Sequence, residues 1–195
     1  ESDVYKRHGR KWLGHRTATK TGGRGVLQRE THHPQYSLDR ATGNLCALNG
    51  VAAGLGATIA LFCDIIYASD QSRLGDTHVK AGLVAGDGGA VIWPLLIGVA
   101  KAKELLMTGD IIDAQEAERI GLINKVLPHD QLMQSVMDLA RRLANGPAMA
   151  IRGTKHAVNK RIWSELNLSL DMGLALEERS SRHIDHKEAA RAFVE

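Results

Sequence analysis

From residue 45 onward the apolar positions fall into runs with a readable period; before it they do not. LCAL at 45–48 is a short apolar run suited to a buried strand, and GVAAGLG at 50–56 is a small-residue turn leading into an apolar helix through Phe62. DIIYA at 64–68 predicts a second strand, followed by a short segment, Ser72 to Gly75, and a second glycine-rich loop, GLVAGDGG at 82–89. From Ala90 the pattern turns helical. AKAKELLMT ends at Gly109, Asp113 is placed to cap AQEAERIG, and Leu122 to Val126 reads as a short strand before Pro128. Residues 130–145 carry apolar side chains at Leu132, Val136, Leu139, Ala140 and Leu143, the spacing of an amphipathic helix. Further helices are expected at 147–162, 164–181 and 186–194. Strand, glycine-rich turn, helix, strand and then a run of helices predicts an α/β core with a helical C-terminal region.

Residues 1–44 look different. They are rich in Arg, His, Gly and Thr, show neither helical nor strand period, and read as an irregular basic segment. Of the chain's 25 Lys and Arg, nine lie in residues 1–40 against four Asp and Glu, so the whole formal excess of +3 is N-terminal. Such an arm attracts phosphates, but without interleaved aromatics or a recognition motif it does not predict nucleic-acid binding. With 44% hydrophobic and 24% charged residues and no apolar run of about 20, the sequence predicts a globular, cytoplasmic protein rather than a membrane one. Cys46 and Cys63 lie in apolar stretches and suit small buried hydrophobes better than a disulfide or zinc site.

Three motifs, in order, carry a resemblance: NGVAAGLGATIALFCDIIYAS, then GLVAGDGG, then AKELLMTGDIIDAQEAERIGLINKVLP. Together they resemble the crotonase, or enoyl-CoA hydratase/isomerase, superfamily over roughly residues 45–195. The resemblance implies a spiral of β-β-α turns. It divides the chain into the unmatched segment 1–44, a core at 45–128 that carries the active site, and a helical oligomerisation region at 129–195. It also implies an acyl-CoA thioester as substrate, with coenzyme A entering as part of it and no separate cofactor or metal. The expected assembly is a homotrimer or a dimer of trimers. The A-G-x-D loop that supplies such enzymes with a second oxyanion donor does not occur in residues 1–44.

The first turn has a physical logic of its own. Where a strand enters a helix through small residues, the first helical N–H groups lack internal partners and lie at the positive end of the helix dipole, which suits an oxyanion. By resemblance the Leu55 N–H is one donor to the thioester carbonyl, with Ala53, Gly54 and Gly56 around it; a tight turn packed for structure alone is the bland alternative. The two glutamates of a hydratase map onto Thr58 and His78. Thr58 has no acid/base chemistry near neutral pH and is left to position water or substrate, or merely to pack. Imidazole at His78 can accept and return a proton near pH 7, and Asp87, nine residues on, is expected to accept the other ring proton and fix the tautomer.

That pair is similar to the His-Asp dyad of 6-oxocamphor hydrolase, a C–C-cleaving crotonase relative. Asp87 is equally well placed as a helix N-cap, and His78 as a hydrogen-bonded histidine on a strand edge. Gly86 and Trp93 complete the expected substrate-binding set. Three functional readings stand: an acyl-CoA enzyme that stabilises an enolate, a β-diketone C–C hydrolase, and a non-catalytic subunit.

Overall fold

The computed structural model describes residues 5–7, 10–12 and 43–194. At the N-terminus, β1 (Tyr5–Arg7) and β2 (Arg10–Trp12) pair antiparallel. The rest of residues 1–42, including His8, His15, His32 and His33, lies outside the described residues.

The core is laid down in turns. β3 (Leu45–Leu48) is followed after two residues by β4 (Val51–Ala53) and then α1 (Leu55–Leu61). The next turn repeats the order with β5 (Ile65–Ser69) and β6 (Arg73–Gly75), a 3₁₀ turn at His78–Ala81, and helices α2 (Gly89–Ile97) and α3 (Val99–Thr108). The chain then runs through β7 (Ile112–Asp113), α4 (Ala114–Arg119) and β8 (Lys125–Leu127). Each turn gives one strand to each of two sheets. β3, β5 and β8 form one, all parallel, and β4, β6 and β7 the other, with β4–β6 parallel and β6–β7 antiparallel. This is the expected α/β spiral, with one correction: Val51 to Ala53 is not a turn but a strand. Of its three residues only Val51 favours a strand, and the segment is held by pairing with Arg73–Gly75.

Alternate residues of these strands enter a core built from Leu48, Leu61, Phe62, Ile66, Leu74, Ile92, Trp93 and Leu105. Each such side chain stabilises the fold by roughly 1.5–3 kcal/mol when fully buried. Cys46 is buried within it and Cys63 half-buried; neither is in a disulfide. The amphipathic α5 (Leu132–Ala144) lies against the first sheet, where Leu132 and Val136 pack with Ala47, Leu45, Tyr67 and Leu127. Asp113 caps α4 as its position predicts, accepting the Glu116 N–H at 2.7 Å.

The C-terminal region differs from expectation. Residues 148–181 form one helix, α6 (Ala148–Ser181), not two, and α7 (Ile184–Val194) follows. No proline interrupts α6, and Ile162, Trp163, Leu166 and Leu170 hold its middle against the core across the expected break. Further along, α6 meets the second glycine-rich loop backbone to backbone. A Cβ on Gly86 would lie 2.2 Å from the Gly173 carbonyl oxygen. Ser180 Oγ accepts the Val84 N–H at 3.1 Å, and His186 Nδ1 on α7 lies 2.7 Å from the Ala81 carbonyl. The two C-terminal helices therefore buttress residues 81–86.

Candidate active site

α1 begins where β4 ends. Gly54 stands at the junction with φ 52°, a left-handed value that favours glycine, and its N–H donates to the Gly75 carbonyl at 3.0 Å, tying the turn to β6. Leu55 and Gly56 open the helix, so their N–H groups have no acceptor within it. One turn on, Thr58 is buried with 1% exposure and directs its hydroxyl towards Asp87 Oδ1 at 3.1 Å and the Gly54 carbonyl at 3.4 Å.

β6 runs out at Gly75, and the chain turns at once through Asp76 and Thr77 into the 3₁₀ turn that carries His78. The ring sits against the first turn: a Cβ on Gly54 would be 3.5 Å from His78 Cε1. Its short contact is with Asp76, whose Oδ1 lies 2.6 Å from Nδ1 and also accepts the His78 backbone N–H at 3.1 Å. Asp87 faces the opposite nitrogen, with Oδ2 3.4 Å from Nε2, longer than a hydrogen bond of normal strength. Its other oxygen accepts from Thr58 and, at 3.3 Å, from the Gly89 N–H. The expected pairing of His78 with Asp87 is thus corrected in detail: the two are neighbours, but the carboxylate hydrogen-bonded to the ring is Asp76. Gly88, not Asp87, is the N-cap of α2, and His78 lies in a 3₁₀ turn rather than on a strand edge.

The electrostatics follow from this geometry. The Asp76 carboxylate holds His78 above the ordinary imidazole pKa, outweighing burial, and Asp87 and Glu177 add to the effect. Burial pushes the Asp87 carboxyl up, against the opposing pull of His78 and the Gly89 N–H. Glu177, reaching in from α6, is raised first by burial and then by the Asp87 charge. Asp76 Oδ2 and Asp87 Oδ2 are buried without a hydrogen-bond partner.

Asp76, His78 and Asp87 are the described side chains clustered closely enough to suggest a cation site. Two donors bound to one ion at about 2.1 Å with a right angle between them stand about 3.0 Å apart, so the 2.6 Å contact of Asp76 with Nδ1 is a hydrogen bond and not a shared ion.

Of the expected substrate-binding residues, Ala53, Gly54, Gly56 and Thr58 gather around the start of α1. Gly86 is covered by α6, and Trp93 is wholly buried in the core, because α2 turns that face inward. Asp76 and Glu177 were not singled out from the sequence. Asp76 left a faint trace in its i, i+2 spacing to His78; Glu177, 90 residues beyond Asp87, left none. An apolar cavity of about 380 Å³ lies elsewhere, between the end of α1 and the start of α6, lined by Phe62, Leu96, Ile151 and Ile162.

The enoyl-CoA hydratase/isomerase family profile matches residues 40–195. A short-chain-enoyl-CoA hydratase of Clostridioides difficile is 37% identical over 149 residues, 76% of this chain and 96% of that protein. Other curated relatives are longer, and the chain spans about 54–60% of their length. Among solved structures, an enoyl-CoA hydratase/isomerase from Mycobacterium paratuberculosis superposes with a TM-score of 0.78 at 33% identity, covering 82% of this chain and 63% of that one. A β-diketone hydrolase from Anabaena, bound to (S)-3-oxocyclohexyl acetic acid, gives 0.71 at 34% identity, covering 75% and 59%. Among the described residues no helix is long and apolar enough to cross a membrane.

Proposed function

Because the chain belongs to the enoyl-CoA hydratase/isomerase family, we propose that it acts on an acyl-CoA thioester, polarising the carbonyl at the Leu55 N–H and moving a proton at the α-carbon through His78. The observation that carries this reading is the contact of the imidazole with the first turn, 3.5 Å from a Cβ position on Gly54. A proton-transfer group beside an oxyanion donor is what enolate formation requires: negative charge accumulates on the carbonyl oxygen as the proton leaves or joins the adjacent carbon. Coenzyme A is part of the substrate. Hydration of a 2-enoyl thioester is the reaction that the names of the curated relatives favour. Leu168, Met172 and Leu176, exposed at four-residue intervals on α6, suit self-association into the proposed homotrimer or dimer of trimers.

A second reading rests on one feature, a histidine among carboxylates where a hydratase has two glutamates, together with the likeness to the Anabaena β-diketone hydrolase. In that reaction His78 would activate water for attack on one carbonyl of a β-diketone, and the departing enolate would be protonated at carbon.

The test is thermal stability with crotonyl-CoA, acetoacetyl-CoA and free CoA, run with the 2-enoyl thioester absorbance assay on the wild type and His78→Ala. Stabilisation by the esters, with turnover lost in the variant, supports the first reading. Absence of any CoA-ester effect, with turnover of a β-diketone in CoA-free buffer, replaces it with the second.

A further inference from the structure

An imidazole offers one position to each neighbour, Nδ1 and Nε2, and the structure divides them unequally. Asp76 holds Nδ1 at 2.6 Å, is fully buried, and is tied down by the His78 backbone N–H on the same oxygen. A carboxylate there accepts a proton, so the ring proton resides on Nδ1 and the lone pair of Nε2 points the other way. Asp87 Oδ2 lies on that side, 3.4 Å from Nε2 and without a hydrogen-bond partner. Asp87 is anchored through its other oxygen, by Thr58 and the Gly89 N–H. Two proton-accepting atoms therefore stand side by side, each on a side chain fixed by its far end. Thr58, where the family resemblance places one of the missing glutamates, gives its hydroxyl to Asp87, so the Asp87 carboxylate stands beside the place that glutamate would have filled.

We propose that Asp87 is a proton-transfer group in its own right, working with His78 Nε2 as the second of two acid/base atoms, and that the residue orienting His78 is Asp76. This rests on the reading of the site as one for enolate chemistry. The balance for hydration of a 2-enoyl thioester needs one proton on the pair. The protonated member gives its proton to the α-carbon as the C=C bond is spent, while the other takes a proton from the water whose oxygen bonds to the β-carbon. The pair again holds one proton, now on the other atom, and passing it across the gap restores the start. The charged groups facing His78 are Asp76 at the end of β6, Asp87 before α2 and Glu177 from α6, while α7 sets His186 on the Ala81 carbonyl behind the turn.

Orientation is read first in the unliganded protein by imidazole ¹⁵N NMR, which needs no substrate. The expected wild-type tautomer has its proton on Nδ1. Asp87→Asn keeps it, whereas Asp76→Asn, whose amide can donate to Nδ1, shifts it towards Nε2. The ¹³C signal of the Asp87 carboxyl is expected to titrate in step with the His78 ring, as a pair sharing a proton must. With crotonyl-CoA, Asp87→Asn loses about 100-fold or more in kcat, the range of a lost acid/base group, and one limb of its pH profile. Asp76→Asn keeps both limbs, with the histidine limb moved to lower pH. A tautomer that changes in Asp87→Asn and not in Asp76→Asn overturns the assignment. So does an Asp87 carboxyl that titrates independently of His78, or a two-limbed Asp87→Asn profile within threefold of wild type. If Asp76→Asn does not fold, the tautomer in Asp87→Asn decides orientation alone. If no CoA ester is turned over, the thioester reading fails while the two NMR measurements still judge this one.

Discussion

Replacing Gly86 by alanine places a methyl group where α6 already runs. The new Cβ would lie 2.2 Å from the Gly173 carbonyl oxygen, 2.6 Å from its carbon and 2.8 Å from Glu177 Cβ, and two of these three atoms are main chain of a packed helix that cannot rotate aside. Gly86 does not have a positive φ, so the cost is steric rather than torsional. Overpacking a filled interior costs roughly 1–3 kcal/mol, and a main-chain obstacle puts Gly86→Ala at the top of that range, about 3 kcal/mol. For a chain of this size that corresponds to a fall in Tm of about 6–12 °C. The reciprocal change is the control. A Cβ on Gly173 would meet the Gly86 carbonyl oxygen at 3.0 Å, a milder contact, and alanine inside a helix gains about 0.8–1 kcal/mol over glycine. Gly173→Ala should therefore melt within about 3 °C of wild type. Circular dichroism melts, with urea titrations to check that the m-value is unchanged, measure both. A Gly86→Ala protein within about 2 °C of wild type, or a larger loss in Gly173→Ala, would refute the steric argument.

Stability should depend on pH in a direction fixed by the site. His78 and Asp87 both bind their protons more tightly folded than unfolded, so the stabilisation each gives is complete below its unfolded pKa and lost as pH rises through the folded value. The Tm difference between wild type and His78→Gln is thus expected to shrink as pH climbs above the ordinary imidazole value of about 6.5; a difference that grows would contradict the ring's contact with Asp76. Asp113→Ala removes the cap on Glu116 N and should cost about 1 kcal/mol, a 2–4 °C drop in the melt. In light scattering the wild type should show a multiple of three chain masses, and Leu168→Lys with Met172→Lys a smaller species; an unchanged mass would clear that face of any role in assembly.

What the sequence disclosed follows from how local each signal is. β3, the stop of α3 at Gly109 and the Asp113 cap each depend on a few consecutive residues, and they lie where the pattern puts them. β4 was illegible because Val51, Ala52 and Ala53 form a strand only by pairing with residues 73–75. The sequence reads as two helices about residue 163, but there the apolar face of α6 only changes partners, from the cavity wall to the core, while the helix itself continues. In the site, His78 and Asp87 could be found from a known pattern of spacing. Their division of labour with Asp76 could not, since it depends on which ring nitrogen faces which carboxylate. Gly86 reads in sequence as part of a ligand cradle, and only the passage of α6 over it shows a packing glycine.

The buttress on residues 81–86 also fixes when the loop behind the site receives its last support. Its supports are Gly173, Ser180 and His186, separated from Val84 and Ala81 by 96 and 105 residues in the last two contacts. A ribosome adding about 5–20 residues per second needs roughly 5–20 s to travel that far. Through that interval the turn bearing His78 rests on α3 and Gly109, with His78 held by Asp76 and Asp87 by Thr58, but residues 81–86 have no cover, so a nascent chain halted before residue 173 would carry the His78–Asp87 pair without the helices that back its loop.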